Sequence, residues 1–309
     1  VKILVVGELN VDLILQDYSS FPTPGREVLV ERASLTLGSA SAICAAGLAR
    51  LGNEVAFSGK LGIDAWGDYI MGRLNELGID VSHVLRSAED TTGITVSVSS
   101  AADRALITYL GCSAALHGGE IQDEWMRGVG HLHVSSFFLQ RALRPDLKDL
   151  FARAHAMGLT TSLDPGCDPL EEWGQDALDL LDVLREVDVF LPNEVELAGV
   201  TGEPCAETAL QLLQNGRTLT VAKLGASGCL SAQDGQVIRV PAFPVTPVDT
   251  TGAGDSFNAG FLHAWLRGDE FAEAIRFGAA CGALSTQGLG GTTSQPNAQE
   301  ASEFMMARA

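Results

Sequence analysis

The chain has no apolar run of about eighteen residues free of a charge or a break, which excludes a helical membrane span. It has no C-x-x-C pair. Cys44, Cys112, Cys167, Cys205, Cys229 and Cys281 are scattered singly, so a zinc ribbon is excluded and a reduced, cytoplasmic protein is expected. Basic residues are scarce, 20 Lys and Arg against 39 Asp and Glu, for a net charge of −19. Such a field repels phosphate backbones, so no nucleic-acid partner is expected. Neither a G-x-x-x-x-G-K-[ST] loop nor a G-x-G-x-x-G fingerprint occurs, which argues against a P-loop NTPase and a dinucleotide-dependent dehydrogenase. Aromatic residues are only 6% of the chain, and Trp66, Trp125, Trp173 and Trp265 show no periodicity of a stacking platform.

What remains is the composition of an ordinary globular enzyme: 309 residues, 46% hydrophobic and 19% charged, enough to bury a sizeable core without disulfides. Val1 to Gly7 reads as a buried first strand. Gly38 to Gly52 is Ala-rich with apolar residues at helical spacing and reads as a buried helix. Glu54 to Gly59 reads as a strand and Asp64 to Leu77 as a helix, with Asp64 as its N-cap. From Gly93 to Leu110 the residues alternate about a polar turn at Ala101 to Arg104, which predicts an antiparallel hairpin. Val11 to Val30, rich in β-formers but interrupted by Pro22 and Pro24, is expected to supply its partner strands. Four further strands, His131 to Ser135, Leu159 to Leu163, Val187 to Leu191 and Leu219 to Leu224, alternate with helical patterns. That alternation predicts a parallel sheet covered by helices on both faces. His131 and His133 point the same way on their strand and read as satisfied polar core or edge residues.

The most informative stretch is Asp249-Thr250-Thr251-Gly252-Ala253-Gly254-Asp255-Ser256-Phe257-Asn258-Ala259-Gly260-Phe261-Leu262. Three small residues precede a helical pattern running from Asp255 to about Leu266. Small side chains let the N–H groups of Gly252, Ala253 and Gly254 converge, and a helix N-terminus adds free N–H groups and a positive dipole end. Such a nest suits an anion whose charge grows during a reaction. A carboxylate there, Asp255, is awkward beside bound phosphates unless it takes a proton from an attacking group. At a helix N-terminus it is expected to have a low pKa and to act as a weak base. An isolated Gly-Ala-Gly-Asp is more often a turn followed by an Asp cap; the small pair Ala259-Gly260 carries the pattern a turn further.

Asp249 to Leu262 resembles the C-terminal signature of the ribokinase-like carbohydrate kinases, the PfkB family, and the resemblance extends in order from Gly7 to Gly291. It implies a ribokinase-like three-layer α/β/α fold over 1–309, with a mostly parallel central sheet and a small β-sheet lid from insertions at about 12–36 and 89–112. The implied reaction is phosphoryl transfer from MgATP to a sugar hydroxyl, with Asp255 as base and Gly252 to Gly254 as anion hole. Asn10 and Asp12, at the end of the first strand, are then sugar-binding, with Gly38 and Ser39 in place of the family's Gly-Gly pair. Ala40 stands where ribokinases carry Lys, and Ile43 where an Asn is frequent.

Asn193 and Glu196 correspond to the N-x-x-E motif that organises Mg²⁺ through water, although Glu-rich first helical turns are commonly no more than solvated. Lys223, Gly225 and Gly228 correspond to a nucleotide-binding turn, and the small-residue helix around Gly278 is suited to lie under an adenine. Asp249, Thr251, Ser285, Gly288, Gly290 and Ser294 correspond to a loop that cradles a monovalent cation such as K⁺.

Asp168 replaces the Arg that meets a carboxylate in the 2-keto-3-deoxygluconate kinases, which argues against a sugar acid. A neutral hexose or pentose is expected. The alternatives are a nucleoside, with Ile43 and Phe138 facing its base, and a catalytically silent sugar- or nucleotide-binding regulator. The lid of relatives also pairs subunits, so the resemblance implies a homodimer.

Overall fold

The computed structural model describes residues 1–18, 20–99, 104–233 and 236–308. The chain begins with β1 (Lys2–Val6), β2 (Asn10–Gln16), β3 (Arg32–Leu37), α1 (Ala40–Arg50), β4 (Glu54–Gly62), α2 (Ala65–Glu76) and β5 (Asp80–Ser87). It continues through β6 (Gly93–Ser99), β7 (Arg104–Tyr109), β8 (His131–Val134), α3 (Leu147–Ala156), β9 (Thr160–Leu163), α4 (Gly174–Val183) and β10 (Val189–Phe190). The remainder is α5 (Glu194–Thr201), α6 (Ala206–Leu212), β11 (Leu219–Lys223), β12 (Cys229–Gln233), β13 (Gln236–Val240), α7 (Ala253–Trp265), α8 (Phe271–Ser285) and α9 (Ala298–Met306).

Among the described residues, nine strands form one sheet in the order β13-β12-β11-β10-β9-β8-β1-β4-β5. Pairing is parallel from β5 through β11, and β12 and β13 close one edge antiparallel. The period-two pattern of β1 explains the layers: Ile3 and Val5 enter the core cluster shared with α1, α7 and α8, while Leu4 and Val6 enter the one shared with α3 and α4. The chain leaves β1 toward β4 on one side and returns to β8 on the other. Their carboxyl ends therefore form a topological switch point, where open α/β sheets bind ligands.

Small residues decide how the helices approach one another. A Cβ on Gly47 of α1 would lie 2.7 Å from the Ala259 Cβ of α7, and one on Gly260 would lie 2.6 Å from Cys281 Sγ of α8. His131 and His133 are buried, and Ser162 Oγ bridges them at 2.7 Å on each side. Burial holds their pKa values at about 3 and about 4, so both are neutral and hydrogen-bonded within the core.

The second sheet has the order β3-β2-β6-β7, with β6 and β7 antiparallel as their alternation predicts and β2 parallel to β6. The turn expected at Ala101 to Arg104 lies outside the described residues, except that Arg104 opens β7. Val11 to Val30 supplies only β2. The second partner, β3, begins later at Arg32, and no strand occurs among the described residues from 17 to 31. Pro22 and Pro24 lack the N–H that a ladder requires.

Candidate active site

A cleft of about 820 Å³ opens where the carboxyl ends of β1, β8, β9 and β11 meet the lid; Glu8, Ser136, Asp164 and Lys223 lie on its wall. A second cavity of about 590 Å³ adjoins it, lined mostly by small and apolar residues that include Phe243, Val245, Phe257, Ala279 and Ala283. Lys223, Gly225, Pro247, Thr250 and Gly254 line both.

The head of α7 stands at this junction. Gly252 is its N-cap with φ of 72°, and no side chain caps the helix. A Cβ there would meet the Gly291 Cα at 2.7 Å, so the backbone angle and the close approach both require glycine. Helix α7 begins at Ala253, two residues before the expected start, so Asp255 sits within the first turn. The expected low pKa of Asp255 is overturned. Burial pushes its carboxyl well above the usual carboxylate range, and negative charge on Asp164 adds to this, opposed by Lys223. The cleft's desolvation and its other carboxylates outweigh the half-charge of the helix end.

Lys223, at the end of β11, donates to Asp164 Oδ2 at 2.7 Å and to Asn258 Oδ1 at 3.1 Å. Asn258 Nδ2 in turn donates to Asp164 Oδ2. One buried triad thus joins β9, β11 and α7 directly behind Gly254. Asn193 caps α5, and its N–H and Nδ2 donate to Glu196 Oε2 at 2.8 Å and Oε1 at 2.7 Å. Glu196 is only 5% exposed, so this first turn is not a solvated acidic face. Burial and the charge of Asp164 push its carboxyl up to about 7.

On the lid side, Asn10 Nδ2 donates to Asp12 Oδ1 at 2.9 Å and to Thr95 Oγ1 at 3.2 Å. A Cβ on Gly38 would come within 2.2 Å of Asp12 Oδ1, so the absence of a side chain lets this pair lie against the chain. Ser39 adopts φ of 71° and caps α1, its Oγ accepting from Ala42 N and donating to the Glu8 carbonyl. Asn10, Asp12, Ser39, Ala40 and Ile43 all line the cleft. Phe138 does not: it is 4% exposed and packs edge-on to Phe137 and Trp173, so the apolar face expected for a nucleoside base is not assembled. Asp168 is likewise structural, accepting from the backbone N–H groups of Leu170, Glu172 and Trp173.

On the other side, Gly225 and Gly228 line the apolar cavity. Gly278 does not. Its Cα faces α7, where a Cβ would be 2.9 Å from the Phe257 carbonyl oxygen, and its neighbours Ala279, Gly282 and Ala283 form the wall instead. Asp249 accepts from Thr251 N and Oγ1 through Oδ1, and from Gly290 N through Oδ2, so these three residues are brought together. Ser285 turns its hydroxyl to the Gly282 carbonyl, and Gly288 abuts Ser294, where a Cβ would lie 2.0 Å from Oγ.

The family model of the pfkB family carbohydrate kinases matches residues 1–298. The chain belongs to the pfkB family. It is an ATP-dependent sugar kinase. It is 32% identical to a fructokinase of Klebsiella pneumoniae over 313 residues, covering 96% of each chain. It is 28% identical to a ribokinase of Haemophilus influenzae over 312 residues, covering 97% of each. Its fold matches the crystal structure of a ribokinase from Thermotoga maritima with a TM-score of 0.84 and 25% identity, covering 98% of this chain and 99% of that one.

Four residues of this pfkB kinase's site were not among the candidates from sequence: Glu8, Ser136, Asp164 and Asn258. The available signal was position, since a charged residue directly after a parallel strand faces the ligand side of the sheet. Mg²⁺ fits the donor set. No cluster of three or more His, Cys, Asp or Glu able to hold a metal occurs among the described residues, and Mg²⁺ characteristically keeps waters and uses one or two carboxylates plus phosphates.

Proposed function

We propose that this kinase transfers a phosphoryl group from MgATP to a hydroxyl of a small neutral sugar, a hexose or pentose. The observation that carries the reading is the place of Asp255. It lines the polar cleft, one residue from Gly254, which the two cavities share. An acceptor hydroxyl in the cleft and a phosphate chain reaching over Gly254 would meet at this carboxylate.

Asp255 accepts the hydroxyl proton, and its raised proton affinity makes it a better base than a solvated aspartate. Phosphoryl transfer through a loose transition state asks mainly for positioning and charge stabilisation. The uncapped N–H groups at the head of α7 supply that stabilisation, pre-aimed and partly dry. Lys223, held by Asp164 and Asn258, keeps one cation at the junction. Asn193 and Glu196 are the residues that would hold the water shell of Mg²⁺, which supplies neutralisation of phosphate charge when bound. The loop that Asp249 ties to Thr251 and Gly290 is the place we assign to a monovalent cation. The lid strands contribute Gln16, Thr95, Ser97, Ser99 and Thr108 to the cleft wall, a surface of hydroxyl and amide groups suited to a polyol. Its closure over the sugar would exclude water as a competing acceptor. Among the described residues the cleft wall carries no Arg or His and several carboxylates, which disfavours a phosphorylated or carboxylated sugar.

The test is ADP release with MgATP across neutral sugars, nucleosides and sugar acids, wild type beside Asp255→Ala. A neutral-sugar-dependent signal that the substitution cuts by about a hundredfold or more is expected. Activity that survives Asp255→Ala removes Asp255 as the base. A signal from nucleosides alone replaces the sugar by a nucleoside. Silence with every acceptor, ATP still binding, favours the silent binding protein.

A further inference from the structure

Glu8 is a carboxylate of the cleft wall held by serine donors alone. It follows β1, is 3% exposed and lies on the cleft wall. Among the described residues its partners are uncharged: Ser41 Oγ donates at 2.5 Å, Ser41 N at 3.4 Å and Ser136 Oγ at 2.7 Å. A buried carboxylate without a cation is costly, and a neutral side chain could join Ser41 to Ser136 at lower cost. Its position is the switch point itself, since β1 and β8 are paired neighbours and Ser136 lies just beyond β8.

Backbone strain gathers around the same carboxylate. Ser136 has φ of 58° and Ser39 φ of 71°, both in the left-handed region that favours glycine. Both are non-glycine residues, both line the cleft, and both bond to Glu8, Ser136 to its carboxylate and Ser39 to its carbonyl. Strain that clusters in this way is typical of sites held in a working geometry. An ionised carboxylate offers about four acceptor sites; Ser41 and Ser136 donate three hydrogen bonds to it, and the residue lines a cleft whose proposed ligand carries hydroxyl donors.

We propose that Glu8 is a specificity-determining residue of this kinase: its carboxylate accepts a hydrogen bond from one hydroxyl of the sugar and so demands a donor at that ring position. This rests on the sugar-kinase reading above. The role is separable from that of Asn10 and Asp12, which bond to each other and to the lid, whereas Glu8 is anchored to α1 and to the loop after β8. An acceptor-only partner distinguishes substituents by a simple rule. A hydroxyl or ammonium is accepted, while a hydrogen or a methoxy is rejected.

The experiment measures kcat/KM for the best sugar and its monodeoxy, mono-O-methyl and monoamino analogues, with KM for ATP, in wild type and Glu8→Gln. In wild type, one ring position should lose on the order of a hundredfold on deoxygenation while tolerating the amino substituent. In Glu8→Gln the parent sugar should fall by a similar factor, and the deoxy analogue at that position should fall no further. Penalties at other positions and KM for ATP should stay as in wild type. A uniform loss across all analogues, or an equal shift in KM for ATP, would show that Glu8 only clamps α1 to the β8 loop and would overturn the proposal. If Glu8→Gln does not fold, Glu8→Asp, which keeps the charge but withdraws it by one methylene, must alter the penalty at a single ring position, and a uniform loss overturns the proposal there too. Wild type silent with every sugar sinks the sugar-kinase reading and this proposal together; active wild type with a uniform loss in the variant sinks this one alone.

Discussion

The two cavities that meet at Gly254 are built on opposite principles. The larger is walled by Glu8, Asn10, Asp12, Asp164, Glu196 and Asp255, groups that accept hydrogen bonds, and the charge of Asp164 raises the proton affinity of Glu196 and Asp255. The smaller presents Phe243, Val245, Phe257, Ala279 and Ala283, with scarcely a side chain able to read a hydrogen-bonding edge. Charge held ready in a dry place is expensive, and here it is confined to the side where the proposed reaction moves a proton. The side to which the proposal assigns only ligand binding offers shape and apolar area. Their shared wall contains Lys223, the cation fixed between them by Asp164 and Asn258.

The largest effect expected from disturbing that contrast is at the wall. Asp164→Ala leaves the Lys223 ammonium buried without its carboxylate and should lower the unfolding free energy by about 3–5 kcal/mol, read from urea denaturation. A loss below about 1 kcal/mol, the range of a solvent-exposed pair, would mean that water shields the pair and the wall is open. Next in size, Ala283→Phe fills the apolar cavity and should raise KM for ATP by about tenfold, ~1.4 kcal/mol of lost binding. KM for the sugar should not move. If both rise together, the cavities act as one.

A pH effect separates the two sides in another way. Burial raises the Asp255 pKa above its ordinary value of 3.8, so above that pH the folded state binds the proton more tightly than the unfolded chain. Stability contributed through this group is therefore lost as pH rises from about 4 toward its folded-state pKa. Asp255→Asn should accordingly gain stability relative to wild type as pH rises above about 4 in thermal melts, and Ala283→Phe should show no such trend. A flat difference for Asp255→Asn would show that the carboxyl is not desolvated in solution. The smallest expected effect is a null. A Cβ on Gly254 would lie 3.5 Å from Lys223 Nζ, an ordinary contact, so Gly254→Ala should change stability by no more than about 0.5 kcal/mol while lowering kcat/KM by crowding the shared wall. Destabilisation beyond that would show the junction to be packed shut.

Local patterns carried much of this molecule. The alternation along 93–110 foretold β6 and β7, and Asp64 caps α2 as its place before a helical pattern suggested. The run Asp249 to Leu262 marked the head of α7 because small residues and an acid before a helix are a local arrangement. Where sequence reading fell short, the cause was long-range. Gly278 belongs to a small-residue helix, but which of its faces meets α7 and which meets the cavity is set by packing against Phe257 and Phe261. Phe138 follows a strand end yet turns into the core beside Trp173, whose position depends on the segment before α4.

The sequence by itself determined the alternation of strands and helices along much of the chain and the small-residue turn at Gly252 to Gly254 that precedes Asp255, because each depends on neighbours a few residues away. Only the tertiary structure decided the electrostatics. Asp164 and Lys223 are 59 residues apart in the chain, and Glu8 and Ser136 are 128 apart. The sheet brings their strand ends together, and the exclusion of water there, not the residue types, raises the proton affinity of an aspartate in the first turn of a helix.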